Sequence, residues 1–173
     1  MNYIEIYKTD TTNGHGIRVV FWTAGCSHHC YNCHNPQTWN PNAGELYTEK
    51  VRDEIIEALN KPYIEGITFS GGDPMYVGNV NEVYELILDI RKTLPNKTIW
   101  LYTGFTYEEI MESNDEIMKK RQEIIKNLDV LIDGKFIEDL KNLNLKWRGS
   151  SNQRVIDIKK TFENNEIVLL ENC

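Results

Sequence analysis

Three cysteines within one short stretch are the residues of this chain best suited to chemistry. The stretch reads CSHHCYNCHNP and contains Cys26, Cys30 and Cys33, three of the four cysteines in 173 residues. Thiolates separated by three and then two residues lie on one loop, which can wrap around a compact metal centre. The spacing therefore predicts a metal site with three cysteine ligands, where four are the usual number.

Two kinds of centre remain open on ligand chemistry. A structural zinc site closes with four ligands, so His28, His29 or His34 would have to supply the fourth. A four-iron cluster also normally takes four cysteines, and a cluster held by three has one iron free to bind another molecule. Incomplete ligation is a defect in a structural site and a requirement in a reactive one. A ferredoxin-like electron carrier is disfavoured, because it has no use for an open iron.

A second distinctive stretch, SGGDP at 70–74, ends a predicted strand. Its two glycines allow a ligand to approach the backbone closely, because they carry no side chain. Taken alone, such a stretch is an ordinary turn. Its place after the cysteine loop and a crossover helix favours a binding role. A third stretch, WRGSSNQR at 147–154, is either a polar surface loop or a grip for a carboxylate, a ribose or a partner loop.

Strands and helices alternate along the chain. The β-branched and aromatic runs predict strands, and the apolar residues at helical spacing predict helices, of which the third is expected to break near Ser113 and Asn114. The remaining tail is mixed: it contains VIDI at 155–158 and ends in one further strand candidate, EIVLL at 166–170. The main strands are predicted at 17–24, 66–70, 98–104 and 129–134, and the helices at 47–59, 79–93 and 107–127.

This alternation predicts one α/β domain over residues 1–173, with parallel strands and right-handed crossovers. The loops after the four main strands contain GC, SGGDP, TGF and DGKF. Loops at the carboxyl ends of parallel strands gather at one edge of the sheet, where ligands bind. We therefore expect these four loops to form one site.

The composition narrows the class of protein. The formal net charge is −7, which does not favour binding to nucleic acid or anionic membranes. The first residues, MNYIEIYKTDTTNGHG, lack the basic and apolar segments of a secretory signal. We expect a cytoplasmic protein, in which clustered cysteines are metal ligands or catalysts and not disulfide partners. Cys173 is expected to be a free thiol.

The motifs together resemble the radical S-adenosylmethionine superfamily. The cysteine spacing after an apolar strand and the later SGGDP carry this resemblance. The stretch NGHGIRVVFWTAGCSHHCYNCHNPQTW and the tail WRGSSNQR are similar to the activases of glycyl radical enzymes, above all those acting on the anaerobic ribonucleoside-triphosphate reductase. The similarity runs from about Asn13 to Arg154. It implies an α/β fold built as a partial, incomplete β/α barrel.

The resemblance implies a role for the two main motifs. Cys26, Cys30 and Cys33 would ligate one [4Fe–4S] cluster, whose open iron binds the amino and carboxylate groups of S-adenosylmethionine. Gly71 and Gly72 would approach the methionine amino group.

The resemblance also implies roles for five further residues. Asp73 would shape the glycine-rich loop, and Asp133 and Lys135 of DGKF would lie near the methionyl group. Tyr31 and Asn32 would lie beside the adenine.

The activity that the resemblance implies is radical generation. A reduced donor such as flavodoxin would pass one electron to the cluster, S-adenosylmethionine would be cleaved, and the 5′-deoxyadenosyl radical would take a hydrogen atom from one glycine of the anaerobic reductase. Two alternatives stay open: an activase of another glycyl radical enzyme such as pyruvate formate-lyase, and a zinc-binding interaction module without catalysis.

Overall fold

In the computed structural model, which describes residues 1–171, apolar segments pair into a seven-stranded sheet. The expectation for Cys173 lies outside the described residues. The strand order is β3-β1-β2-β4-β5-β6-β7, so β3 and β7 are open edges. The strands are β1 (Asn2–Asp10), β2 (Arg18–Thr23), β3 (Glu45–Leu46), β4 (Gly66–Gly71), β5 (Thr98–Tyr102), β6 (Val130–Asp133) and β7 (Arg154–Asp157).

The sheet is mixed, and its centre has the predicted parallel arrangement. Strands β2, β4, β5 and β6 are parallel neighbours, whereas β1, β3 and β7 pair antiparallel at the two sides. The strand β1, which pairs with both β2 and β3, was not predicted. The predicted strand at 166–170 is wrong: an isolated bridge joins Leu169 to Ile156. The α/β prediction is therefore confirmed, with antiparallel edges that the strand–helix alternation does not indicate.

Among residues 1–171, four of the five α-helices lie within the ranges that the periodicity predicts, and the last, Ile158–Asn164, was not predicted. The third predicted helix breaks as expected, because Thr106 begins one segment with a capping box and Asp115 caps the next through its side chain. Within residues 1–171, none of these helices has the length and apolar character needed to cross a bilayer. The helices are α1 (Glu49–Leu59), α2 (Val80–Thr93), α3 (Tyr107–Met111), α4 (Glu116–Lys126) and α5 (Ile158–Asn164).

Alternate residues of each strand face two different environments. In β5, Ile99 and Leu101 join a large apolar core to which α1, α2 and α4 contribute. Trp100 and Tyr102 point to the opposite face, where a smaller cluster includes Trp147. The large core thus lies on one side of the sheet, and the other side is only partly filled.

A buried arginine stabilises the start of the parallel strands on this second face. Arg18 is 0% exposed and donates to Thr68 Oγ1 at 2.7 Å and to the carbonyls of Ile67 and Thr98 at 2.6 and 3.1 Å. Its guanidinium lies 5.1 Å from the ring centroid of Trp100. Burial lowers the Arg18 pKa to about 10, so the side chain stays charged at neutral pH. One side chain therefore bonds to both β4 and β5.

Replacing this arginine should destabilise the protein. Arg18→Met would leave Thr68 and the carbonyls of Ile67 and Thr98 without their donor, which costs about 3 kcal/mol. The free energy of unfolding in urea measures the effect. Arg52→Met removes an arginine with exposed ion pairs and should change stability little. Equal losses in the two variants would contradict the assignment.

Candidate functional site

The cysteine loop leaves β2 through a tight glycine turn. Gly25 has φ of +97°, and a Cβ there would lie 2.7 Å from the ring of Tyr76. Its amide donates to the carbonyl of Thr38 at 2.8 Å, and the amide of Cys26 donates to that of Trp39 at 3.1 Å. These bonds return the far end of the loop to the end of β2. The loop is therefore closed at its base.

The glycine-rich loop after β4 lies directly against the base of the cysteine loop. The amide of Gly72 donates to the carbonyl of Thr23, and that of Asp73 to the carbonyl of Gly25, both at 2.8 Å. A Cβ on Gly72 would lie 2.4 Å from the Gly25 oxygen, and one on Gly71 would lie 2.5 Å from the Thr23 oxygen. The absence of side chains thus allows backbone-to-backbone contact between the two predicted motifs.

The carboxylate of Asp73 joins three loops. Its side chain is buried, and Oδ2 accepts from His28 Nε2 at 2.8 Å and from Thr103 Oγ1 and the Gly104 amide, both at 3.0 Å. Its Oδ1 accepts from the Met75 amide at 2.8 Å. These partners come from the cysteine loop, the loop after β5 and its own loop. Asp73 thus holds its own loop against the other two, and its role in shaping the loop for a ligand stays a prediction.

A cavity of about 440 Å³ opens where the strand-end loops meet. Residues from the loops after β2, β4, β5 and β6 line it, as the topology predicts. The structure thus brings together most of the predicted site residues. Those that line the cavity are Cys26, Cys30, Cys33, Gly71, Gly72, Asp73 and Lys135.

The three thiols at this cavity are chemically available. Each is free and partly buried. Burial raises the pKa of the Cys26 and Cys30 thiols, and for Cys30 a hydrogen bond from the Phe136 amide opposes that shift. A cation bound here would favour the thiolate forms. The donor set therefore fits a cluster held by three thiolates.

The structure gives the three histidines of the loop other contacts. His28 bonds to Asp73, His29 packs against Trp39, and the rings of His34 and Phe136 lie 5.1 Å apart. Among residues 1–171, no three His, Cys, Asp or Glu side chains are grouped so that they could hold one metal ion.

Three predicted residues are not at the cavity. Tyr31 is 78% exposed, and Asn32 lies on the exposed outside of the loop with φ of +53°. Asp133 is 0% exposed, where Arg154 donates to both carboxylate oxygens and the Tyr107 amide donates to Oδ2. Lys135 of DGKF thus lines the cavity, whereas the alternation of strand residues turns Asp133 away from it.

The stretch 147–154, which fits either a surface loop or a binding element by sequence, lies at the cavity. Asn152 Nδ2 donates to the Lys135 carbonyl at 2.8 Å, and Gln153 Nε2 donates to the Gly134 carbonyl at 3.0 Å. Arg148 lines the cavity, and within residues 1–171 its buried Nε has no hydrogen-bond partner. Trp22, also at the cavity, has an unpartnered indole N–H by the same criterion. The polar composition of residues 147–154 was the feature of the sequence that indicated a possible place at the site.

The contact between the two loops can be tested at one glycine. Gly72→Ala forces a methyl group into the Gly25 carbonyl, and we expect it to cost about 1–3 kcal/mol in the free energy of unfolding. Gly78→Ala is the matched control, because its Cβ would meet only the Tyr76 ring edge at 3.0 Å. Urea unfolding of both variants measures the difference. A Gly72→Ala protein as stable as the control would contradict the close backbone approach.

The ion pair between Glu108 and Arg154, next to Asp133, predicts that the stability of the fold depends on pH. Hydrogen bonds from Arg154 lower the pKa of Glu108 to about 2, so this carboxylate stabilises the fold fully above pH 4.5, and its contribution is lost as the pH falls towards 2. Because the Glu108 side chain is 44% exposed, screening limits the gain to about 1 kcal/mol.

Urea unfolding of Glu108→Gln at two pH values tests this. The variant should be less stable than the unmodified protein at pH 7, and the difference should shrink at pH 3. Glu112→Gln, which removes an exposed charge near the end of α3, should show no such trend. A Glu108→Gln difference that grows at pH 3 would contradict the sign.

Comparison with known proteins agrees with this site. Residues 12–156 match the family described as 4Fe-4S single cluster domain. A protein of Enterobacteria phage T4 named anaerobic ribonucleoside-triphosphate reductase-activating protein is 43% identical over 155 residues, covering 90% of this chain and 93% of its own length. Proteins of the same name are 41% identical in Escherichia coli (strain K12), with 90% and 97% covered, and 39% identical in Vibrio cholerae serotype O1, with 88% and 96% covered. The chain therefore belongs to the 4Fe-4S single cluster domain family and, within it, to the anaerobic ribonucleoside-triphosphate reductase-activating proteins.

Proposed function

We propose that this protein activates the anaerobic ribonucleoside-triphosphate reductase as a radical S-adenosylmethionine enzyme. The observation that carries the proposal is the cavity at which three free thiols meet the glycine-rich loop. The names of relatives about 40% identical over nearly their whole length supply the reductase as the protein substrate.

Cys26, Cys30 and Cys33 hold a [4Fe–4S] cluster and leave one iron without a protein ligand. This vacancy is consistent with His28, which is bonded to Asp73 and is not free to become a fourth ligand. When bound, the cluster supplies the electron that cleaves S-adenosylmethionine and so yields the radical that takes a hydrogen atom from a glycine of the reductase.

The chain's own residues bind and orient the nucleotide. The backbone of Gly71 and Gly72 is open to the methionine amino group, because no side chain covers it. Lys135 and Arg148 line the cavity with basic side chains, and within residues 1–171 neither forms an ion pair with a carboxylate. They are therefore suited to the methionine carboxylate.

The predicted residues that do not line the cavity are Asp133, Tyr31 and Asn32, and each acts at a distance from the methionine group. Asp133 holds Arg154 and so orders the loop that carries Lys135. Tyr31 and Asn32, both on the exposed side of the cysteine loop, can reach adenine only through their backbone or by contact at the cavity mouth.

The partly filled face of the sheet supports an incomplete barrel that admits a protein loop. Its cavity is lined from Trp22 on one side to Phe136 and Gly149 on the other, and the sheet edges β3 and β7 do not close on each other. A partly covered site holds reactive groups away from water and leaves an entrance for the glycine of a large partner. A flavodoxin-like donor and a cytoplasmic location complete the proposal.

Anaerobic reconstitution with iron and sulfide tests the proposal. The reconstituted protein, reduced in the presence of S-adenosylmethionine, should release 5′-deoxyadenosine and produce a glycyl radical signal on the added reductase by electron paramagnetic resonance. Pyruvate formate-lyase in place of the reductase should give no signal. Stoichiometric zinc without iron after anaerobic purification, or a signal on pyruvate formate-lyase alone, would refute it.

Single cysteine variants test the ligand set. Cys26→Ala, Cys30→Ala and Cys33→Ala should each lose most of the bound iron and all detectable 5′-deoxyadenosine, because a cluster held by two thiolates is not retained. Iron and sulfide analysis measures the loss. Cys173→Ala controls for removal of a cysteine and should keep both properties. Full iron retention in any of the first three variants would contradict the assignment.

A further inference from the structure

We propose that His28 is a positioning residue that locks the cysteine loop to the loop that binds the methionine amino group. This inference rests on the proposed function and adds a residue that the cysteine and glycine motifs do not include. His28 lies midway between Cys26 and Cys30, and its ring is the side-chain link from this segment to Asp73.

The His28–Asp73 hydrogen bond is short and buried. The donor and acceptor atoms are 2.8 Å apart, and the two side chains are 7% and 2% exposed. Asp73 also accepts hydrogen bonds from the Thr103 hydroxyl and from two backbone amides, so its carboxylate acts as the acceptor in each of these bonds. His28 therefore carries its proton on Nε2 and donates it. A buried hydrogen bond to a charged group is strong and costly to break.

The imidazole sits in a space that the loop after β5 shapes for it. A Cβ on Gly104 would lie 2.3 Å from the His28 ring, so a larger residue there would displace it. The ring of Phe105 meets the imidazole edge-on with centroids 4.5 Å apart. Arg121 lies on this same phenyl ring, 4.1 Å from its centroid, and places a positive charge near Asp73. Packing and electrostatics thus both hold His28 in one orientation.

Within residues 1–171, no backbone–backbone hydrogen bond joins the segment between Cys26 and Cys30 to the glycine-rich loop. The hydrogen bonds of Gly25 and Cys26 clamp the base of the loop, whereas Cys30 and Cys33 lie beyond it. The His28 side chain is the contact that ties the interval between Cys26 and Cys30 to the floor of the cavity. The distance between the thiols and the glycine-rich backbone is therefore set partly by this bond. Losing it should weaken nucleotide binding more than cluster retention.

Binding of S-adenosylmethionine to the reconstituted protein tests the inference. His28→Leu should keep iron but bind S-adenosylmethionine about tenfold more weakly in calorimetry, as expected for loss of a hydrogen bond to a charged group. The change that the nucleotide produces in the paramagnetic resonance spectrum of the reduced cluster should also be altered. His28→Gln, whose amide donates in a similar place, should recover affinity to within about threefold.

Two variants serve as controls. His29→Asn removes the adjacent, exposed histidine at φ of +48°, a conformation that asparagine tolerates, and should change affinity by less than about twofold. Thr103→Val removes another donor to the same Asp73 oxygen without touching the cysteine loop, so its effect should be smaller than that of His28→Leu.

The outcomes separate this inference from the proposed function. If the unmodified protein neither binds nor cleaves S-adenosylmethionine, the proposed function fails. If it does both and His28→Leu binds equally well, only the positioning role of His28 is overturned. That role is also overturned if His28→Gln is as impaired as His28→Leu, or if Thr103→Val matches it. Should His28→Leu fail to fold, His28→Ala, which also cannot donate to Asp73, takes its place in both comparisons.

Discussion

The contact between two strand-end loops is the constraint on which the rest of this structure depends. Glycine at 72 lets the second loop reach the carbonyl of Gly25, at the base of the cysteine loop, and the buried carboxylate of Asp73 then bonds across to His28. Neither contact survives a one-residue change in strand register, because a slip reverses which side each residue faces. The parallel pairing of β2 with β4 is therefore part of the site.

One face of the sheet contributes most of the apolar core, and the other face carries the candidate site. The helix-covered face buries the large apolar core, whereas the other face combines a small apolar cluster, the buried charge of Arg18 and an open cavity. Polar and charged groups are costly to bury unless they are hydrogen-bonded. Arg18 satisfies that condition with five bonds to oxygen atoms, and Asp73 does so with four. The buried polar groups next to the cavity are thus hydrogen-bonded, while the cavity itself is open.

The sequence is sufficient to predict features that local spacing determines. The parallel strands, the break before Asp115 and the meeting of the thiols with the glycine-rich loop follow from periodicity and strand order. Features that depend on side-chain direction were not accessible. Whether Asp133 faces the cavity depends on which residue of β6 begins the turn, and the bond from His28 crosses between separate loops. No helix precedes the antiparallel strand β1, so the alternation of elements did not reveal it.

The account requires a cluster that three cysteines hold and that S-adenosylmethionine completes. Electron–nuclear double resonance on the reduced, reconstituted protein with nucleotide labelled at the methionine amino nitrogen observes that contact directly. The account predicts a hyperfine coupling between the labelled nitrogen and the cluster. A nucleotide that binds without any such coupling, or a coupling to a protein nitrogen such as that of His28 in its place, would contradict it.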